Sequence, residues 1–510
     1  MVQAERPRFG LPSKMLFGVG AIANAVKARG LSTFLLIFYN QVVGLPAAMV
    51  ATAIMVALIF DALVDPTVGQ ISDNFRSPWG RRHPFMYAAA IPVSIAFFML
   101  WNPPAGWGQE ALFAYMLTVL LIIRLFDTFF ELPSSTLIPE LAPGYNERTS
   151  LISIRFVFGI IGGLGMTILA YQVFMKEAAD GTGGIIARDG YFGYSITAAV
   201  LIFVAIIVST LATHTQSGGL RQPPVRKVTV RGMLKEVGAT LNNRSFIVLT
   251  GAGMFTAIAV GMKGALEIYF NLYFWGLSQG QLSLLVVAGV VSSLCGISLA
   301  PFMGAKFGKQ RGAIISYTSA LAVGVLPVLL RMADLAPANG TLALFALLFV
   351  DTIVNGALAI STGILLTSMI ADVVEDAEVK TGRRSEGLLM SADNLFKKMV
   401  SGVGVFVAGA MLTWIEFPQN AKRGAVDQSV IDAMAWAYVP LAIVLYGAGI
   451  VGLLFLRVSR EKHEANLETL RERALAAGDA EIEGEAAVVE AGGSSIPPPT
   501  GPVIPRPSQA

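Results

Sequence analysis

The sequence has one cysteine and three histidines in 510 residues, and only 14% of it is charged. Each shortage excludes something. Cys295 has no second thiol to pair with, so a disulfide framework and a cysteine-based metal site are both ruled out. His83, His214 and His463 all fall in predicted cytoplasmic or boundary segments, and no His-Glu-x-x-His pair offers a zinc site. There is also no Gly-Lys-Ser/Thr phosphate loop and no Gly-x-Ser-x-Gly nucleophile elbow. An enzyme is therefore not expected, nor a bound cofactor, nor transport driven directly by ATP. A soluble domain carries about 25% charged residues, and a chain this poor in charge cannot cover a water-facing surface. The formal net charge of +3 gives nucleic acid no electrostatic footprint.

What the chain does have is apolar length. Residues of the AVILMFWYC set make up 54% of it, and the mean hydropathy is +0.64. Apolar runs of about 20 residues, enough to cross roughly 30 Å of hydrocarbon, fall near 15–42, 46–71, 84–103, 111–133, 150–174 and 191–213. Six more lie near 246–275, 279–304, 312–331, 340–371, 387–415 and 432–457. Runs of this length without alternation exclude a β-barrel, because only helices or closed barrels satisfy backbone groups in lipid. The expected fold is an all-α membrane protein with twelve transmembrane helices in two six-helix bundles. Residues 1–213 form the first bundle, 214–245 a polar linker, 246–457 the second bundle and 458–510 a tail. Within the tail, 461–476 reads as a short charged helix. The rest is rich in Gly, Ser and Pro and lacks the apolar residues to build a core. The first apolar stretch is too long for a cleaved signal peptide and reads as span 1.

Basic residues cluster on one side. Arg6, Arg8, Lys14, Arg76, Arg81, Arg82, Arg148, five linker residues, Lys306, Lys309, Arg311, Lys380, Arg383 and Arg384 share it. The other side holds only Lys176, Arg188, Arg331, Lys422 and Arg423. The positive-inside rule places both termini and the linker in the cytoplasm, with the chain in the cell membrane. A weak repeat relates the halves. Pro66 and Gly69 at the end of span 2 have counterparts in Pro301 and Gly304 at the end of span 8, each followed by a basic turn. A duplicated chain of this kind suits a carrier with its site between the halves.

Charges left inside the bilayer cost about 2.5–3.5 kcal/mol each on insertion scales, so each needs a partner or a wet cavity. Span 2 carries Asp61 and Asp65, one turn apart and on one face. Two carboxylates so close repel each other unless a proton or a hard cation such as Na⁺ lies between them. Equally, Asp65 could only stabilise the end of its helix near the basic turn. Span 4 carries Arg124, Asp127 and Glu131, span 5 Arg155, span 11 Lys397 and Lys398, and span 1 Lys27 and Arg29. Arg155 is the natural partner for Glu131, and Lys398 for the span 2 pair. Lys263 and Glu267 in span 7 are spaced for a local pair, and Asp351 stands alone.

Three segments carry a resemblance. They are DALVDPTVGQISDNFRSPWGRRHPF at 61–85, ELPSSTLIPEL at 131–141 and DVVEDAEVKTGRRSEGLL at 372–389. Together they resemble the glycoside–pentoside–hexuronide:cation symporters, the melibiose-permease branch of the major facilitator superfamily, over about residues 11–457. The third segment looks like that family's loop between helices 10 and 11. The resemblance implies a cation site, for Na⁺ or H⁺, at Asp61 and Asp65, with Lys398 close by. It implies sugar binding at Glu131 and Arg155, with Asp127 added as a further candidate. Gly69, Asp73, Gly80, Arg81 and Arg82 are similar to the superfamily's gating motif, in which Asp73 would pair with an arginine. A helix 1 aspartate that binds sugar in the melibiose branch falls on Ala25, and two aromatic platforms fall on Ser135 and Gly363. The expectation is cation-coupled symport of a sugar or glycoside by alternating access. The partners are a small-molecule substrate, a coupling cation and the bilayer, and the protein is expected to be a monomer. Two rivals are an amphiphile carrier, for a lysophospholipid for instance, and a non-transporting membrane sensor.

Overall fold

The computed structural model describes residues 10–142, 144–177, 183–214, 244–381 and 386–456, together with Thr469. Most of the linker and almost all of the tail, including the short helix expected at 461–476, lie outside these residues.

Twelve long helices account for nearly everything described. They are α1 (Leu11–Thr33), α2 (Ala47–Asn74), α3 (His83–Leu100), α4 (Gln109–Leu141), α5 (Tyr145–Leu169) and α6 (Asp189–His214). The second set is α7 (Arg244–Tyr269), α8 (Gln279–Phe307), α9 (Lys309–Met332), α10 (Leu342–Thr381), α11 (Glu386–Trp414) and α12 (Gln428–Leu454). Among the described residues eleven spans are long and apolar enough to cross a membrane, and the bent pair Leu11–Thr33 with Leu35–Val43, taken as one span, makes a twelfth. Helices 4 and 10 outrun the expected spans. α4 continues through Pro133 and Pro139, and prolines inside membrane helices are tolerated because neighbours re-satisfy the freed backbone groups. At 1.5 Å per residue, α10's 40 residues reach about 60 Å. The segment 372–389, expected as a loop, is therefore mostly helix. Only 382–385 separates α10 from α11, and those residues lie outside the description.

The sequence repeat is real in space. α1 packs on α5 and α6, α2 on α4, and α3 on α4 and α6. The same five pairings recur six helices later, as α7 on α11 and α12, α8 on α10, and α9 on α10 and α12. Details recur as well. At the start of α3, Arg82 pairs with Glu140 near the end of α4 at 2.7 Å. At the start of α9, Lys309 pairs with Asp372 late in α10 at 2.6 Å. Nearer mid-membrane, Lys27 of α1 pairs with Asp127 of α4, and Lys263 of α7 donates to Asn355 of α10. The expected local pair of Lys263 with Glu267 gives way to this bond across helices, which braces two elements rather than one turn.

The bundles meet unequally along their length. α2 and α11 pack along most of their extent, whereas α5 and α8 touch more sparsely, with Gln172 donating to Ser283 at 2.8 Å. Gly402 and Gly409 of α11 allow the close α2–α11 contact. A Cβ on Gly402 would lie 3.1 Å from the Cα of Met55, and one on Gly409 would lie 2.6 Å from the carbonyl oxygen of Ala47. At the end remote from the termini, polar bonds seal the two bundles together. Tyr269 donates to Asn40 at 2.8 Å and Tyr273 to Gln41 at 3.3 Å. Gln41 in turn donates to the carbonyl of Pro418 at 3.0 Å. Arg423 pairs with Glu177 at 2.9 Å. Asn40 and Gln41 lie in the π-helical stretch Phe38–Val43 that ends span 1, and Tyr273 lies in its counterpart Phe270–Phe274 at the end of α7. Such π turns are rare and occur frequently at functional sites.

Candidate functional site

The site grows out of α4. Arg124, Asp127, Thr128 and Glu131 follow one another at intervals of three, one and three residues. At 3.6 residues per turn they cover about 100° of the helix surface. This polar stripe faces α2 on one flank and α1 and α5 on the other.

On the α2 flank, four carboxylate oxygens converge on three donors. Lys398 of α11 lies 2.5 Å from Asp65 Oδ2 and 2.9 Å from Asp61 Oδ2. The Arg124 guanidinium lies 3.2 Å from the same Asp61 oxygen. Thr128 Oγ1 sits 3.3 Å from Asp61 Oδ1 and 2.9 Å from Asp65 Oδ1. Asp61 is buried and Asp65 partly exposed. The expected convergence of Asp61, Asp65 and Lys398 is thus what the structure places together. Lys398 is also the one side chain of the second bundle that reaches these carboxylates among the described residues. Reading the sequence by single helices missed Arg124 and Thr128 as partners of this pair. Their spacing, one turn apart, puts the two on one face of α4 but does not tell which helix that face meets.

On the other flank, Lys27 is buried and holds Asp127. Asp127 was expected to bind substrate, but its charge is already neutralised from α1. Glu131 is freer. Its Oε1 lies 4.0 Å from Arg155, and its Oε2 has no hydrogen-bond partner. Arg155 is steadied by a 2.7 Å bond to Ser134 and by the ring of Phe17, 4.9 Å away. The Glu131 side chain is about a third exposed, so this oxygen can accept a hydrogen bond from a ligand or from water. Ala25, where the resemblance places an acid, packs with its Cβ against Gly163 of α5. Gly363, where an aromatic is expected, is exposed, and a Cβ there would meet nothing within 4 Å. Ser135 turns its hydroxyl back to the carbonyl of Leu132 at 3.0 Å.

The residues expected to form a gating motif make a separate cluster at the end of the first bundle near the termini. Arg82 reaches Asp73 at 3.0 Å, the carbonyl of Thr136 at 2.6 Å and Glu140 at 2.7 Å. Arg81 joins Glu140 as well. Gly80 turns the chain with a φ of +85°, a conformation that favours glycine. Gly69 lies beside Leu132 of α4. Glu140, which sits in the quoted 131–141 segment, was not foreseen as the arginines' partner. His83 is buried and bonds Thr213 at 2.9 Å, joining α3 to α6.

Residues 16–460 match the family described as MFS/sugar transport protein. The chain belongs to that family. Within it, the chain is similar to an uncharacterized symporter of Synechocystis, with 26% identity over 92% of this chain and 98% of that one. It is also similar to the isoprimeverose transporter of Lactiplantibacillus pentosus, 25% identical over 84% of this chain and 85% of that one. Among solved structures, the nucleoside transporter NupG matches with a TM-score of 0.62, at 14% identity, over 86% of this chain and 99% of that one. This last likeness speaks for the fold alone. The protein is therefore a major facilitator superfamily transporter like the glycoside–pentoside–hexuronide:cation symporters, and not an enzyme.

Proposed function

We propose that the protein is a cation-coupled symporter that carries a sugar or glycoside by alternating access, working as a monomer in the cell membrane with both termini in the cytoplasm. One observation carries the coupling. Lys398 of the second bundle bonds both Asp61 and Asp65 of the first, so an ion that neutralises these carboxylates also loosens a tie between the bundles. With the remote end sealed by Tyr269, Tyr273, Gln41 and Arg423, the present conformation is the one closed to the outside. Glu131 Oε2 and Arg155 supply the acceptor and donor for sugar hydroxyls, and coupling between cargo and ion must be reciprocal.

The open space at Gly363 and the short Ser135 favour a second cargo reading, an amphiphile whose chain fills the room a ring platform would occupy. A thermal-shift screen of sugars, glycosides and lysophospholipids on the purified protein separates the two. A sugar or glycoside is expected to raise the unfolding midpoint. Glu131→Gln should weaken that ligand by about tenfold to a hundredfold, as a hydrogen bond to a charged group contributes about 1.5–3 kcal/mol. Stabilisation by lysophospholipid alone would replace the sugar assignment.

A further inference from the structure

The carboxylate pair already holds its counter-charges. Asp61 Oδ2 faces both Arg124 and Lys398 and Asp65 Oδ2 faces Lys398, while the single Thr128 O–H, 3.0 Å from the Arg124 carbonyl as well as near both Oδ1 atoms, donates to one acceptor at a time. Two negative charges therefore meet two positive ones before any ion arrives. The balance extends along the stripe, where Lys27 neutralises Asp127 from α1 and Arg155 faces Glu131 from α5. The charged groups around the pair from α1, α2, α4, α5 and α11 then sum to zero. The two basic partners of the pair differ in kind. Lys398 is partly exposed and belongs to the other bundle, so it leaves when the bundles part. Arg124 is on α4, inside the same bundle as Asp61, and a guanidinium does not lose its proton in proteins. It travels with the site through every state.

We infer that Arg124 is a tethered counter-cation that keeps Na⁺ out of the Asp61–Asp65 pair, leaving Asp65 as the carboxylate that exchanges its partner and a proton as the ion it takes. A Na⁺ ion needs several oxygens turned toward it, and it would sit beside a fixed guanidinium at the Asp61 oxygen. A proton needs one lone pair. On Asp65 Oδ2 it displaces the Lys398 bond and leaves the Arg124–Asp61 pair intact. The proton enters from the aqueous side that the site faces and leaves to the other side, with no bond but O–H made or broken. This inference rests on the symport reading only for the proton. The exclusion of Na⁺ stands or falls on its own.

Sodium itself is the probe, and no substrate is needed. Full-length protein is titrated with NaCl against choline chloride at fixed ionic strength and pH, reading both the unfolding midpoint and bound radioactive sodium. Wild type and Arg124→Lys are expected to show no Na⁺-specific shift and no saturable sodium. Arg124→Gln should acquire both, with binding that approaches one ion per chain, and Arg124→Gln with Asp65→Asn should lose them again. A Na⁺-specific shift in wild type overturns the inference. So does a folded, monodisperse Arg124→Gln protein that binds no sodium. In vesicles supplied with a cargo from the screen, an imposed pH gradient and not a Na⁺ gradient should drive accumulation. If neither gradient drives it, the symport reading fails while the sodium result remains.

Discussion

Lys398→Ala is expected to cut net accumulation of cargo sharply while leaving exchange of labelled for unlabelled cargo across the membrane largely intact. The reasoning begins with charge. In wild type the pair is balanced, with Lys398 lying 2.5 Å from Asp65 and 2.9 Å from Asp61. Without the ammonium, one negative charge is left over in a site walled by apolar helices. Removing one partner of a buried pair costs about 3–5 kcal/mol. Lys398 is about a third exposed, so solvent screening brings the figure below that range. The leftover charge holds its ion too tightly and no competitor expels it. Exchange proceeds with the ion in place, but a full cycle requires its release. Accumulation should fall roughly tenfold or more, in line with about 1.4 kcal/mol per factor of ten. Paired uptake and counterflow assays in the same vesicles check this. Equal loss in both would point to a collapsed protein, whereas unchanged accumulation would remove Lys398 from the mechanism.

Gly409→Leu should drive the bundles apart at their sealed end. A side chain there has nowhere to go, because the Ala47 carbonyl would stand 2.6 Å from its Cβ, with Ala51 also in the way. Overpacking of this kind costs about 1–3 kcal/mol, enough to shift an equilibrium between two conformations by roughly 5- to 150-fold. The state that suffers is the one with α2 and α11 in close contact and Thr413 bonded to the Ala48 amide at 3.1 Å. Spin labels on cysteines at Trp107 and Leu335, both exposed at the sealed end on different bundles, read the distance directly once Cys295 is replaced by serine. The distance is expected to lengthen in Gly409→Leu relative to wild type. Gly165→Ala, where a Cβ meets nothing within 4 Å, should leave it unchanged.

These residues also show how much of the molecule can be read from its sequence. The twelve spans follow from hydropathy, because lipid demands continuous apolar length and few charges. The meeting of Lys398 with Asp61 and Asp65 follows from the scarcity of charge together with the family motif. What stayed hidden was pairing between helices distant in the chain. Nothing in local spacing tells that Arg124 turns to Asp61 and Asp127 to Lys27, though the four polar residues of α4 lie on one stripe. The same limit applies to Glu140, which looks like a helix-end acid until the turn at Gly80 folds Arg81 and Arg82 onto it. Lys263 is the reverse case. Its spacing to Glu267 suggests a pair on one helix, yet its ammonium donates to Asn355 on α10. Helix ends were least legible. α4 and α10 run on well past their apolar runs, because polar and proline-containing turns remain helical once they emerge from the membrane core.

The central claim is that ion coupling passes through the carboxylate pair on α2. The most direct measurement is cargo uptake into vesicles under an imposed ion gradient, comparing wild type with Asp61→Asn and Asp65→Asn. The account predicts concentrative uptake by wild type and none by either variant, with cargo still equilibrating across the membrane through Asp65→Asn. Full gradient-driven accumulation by both variants would contradict it.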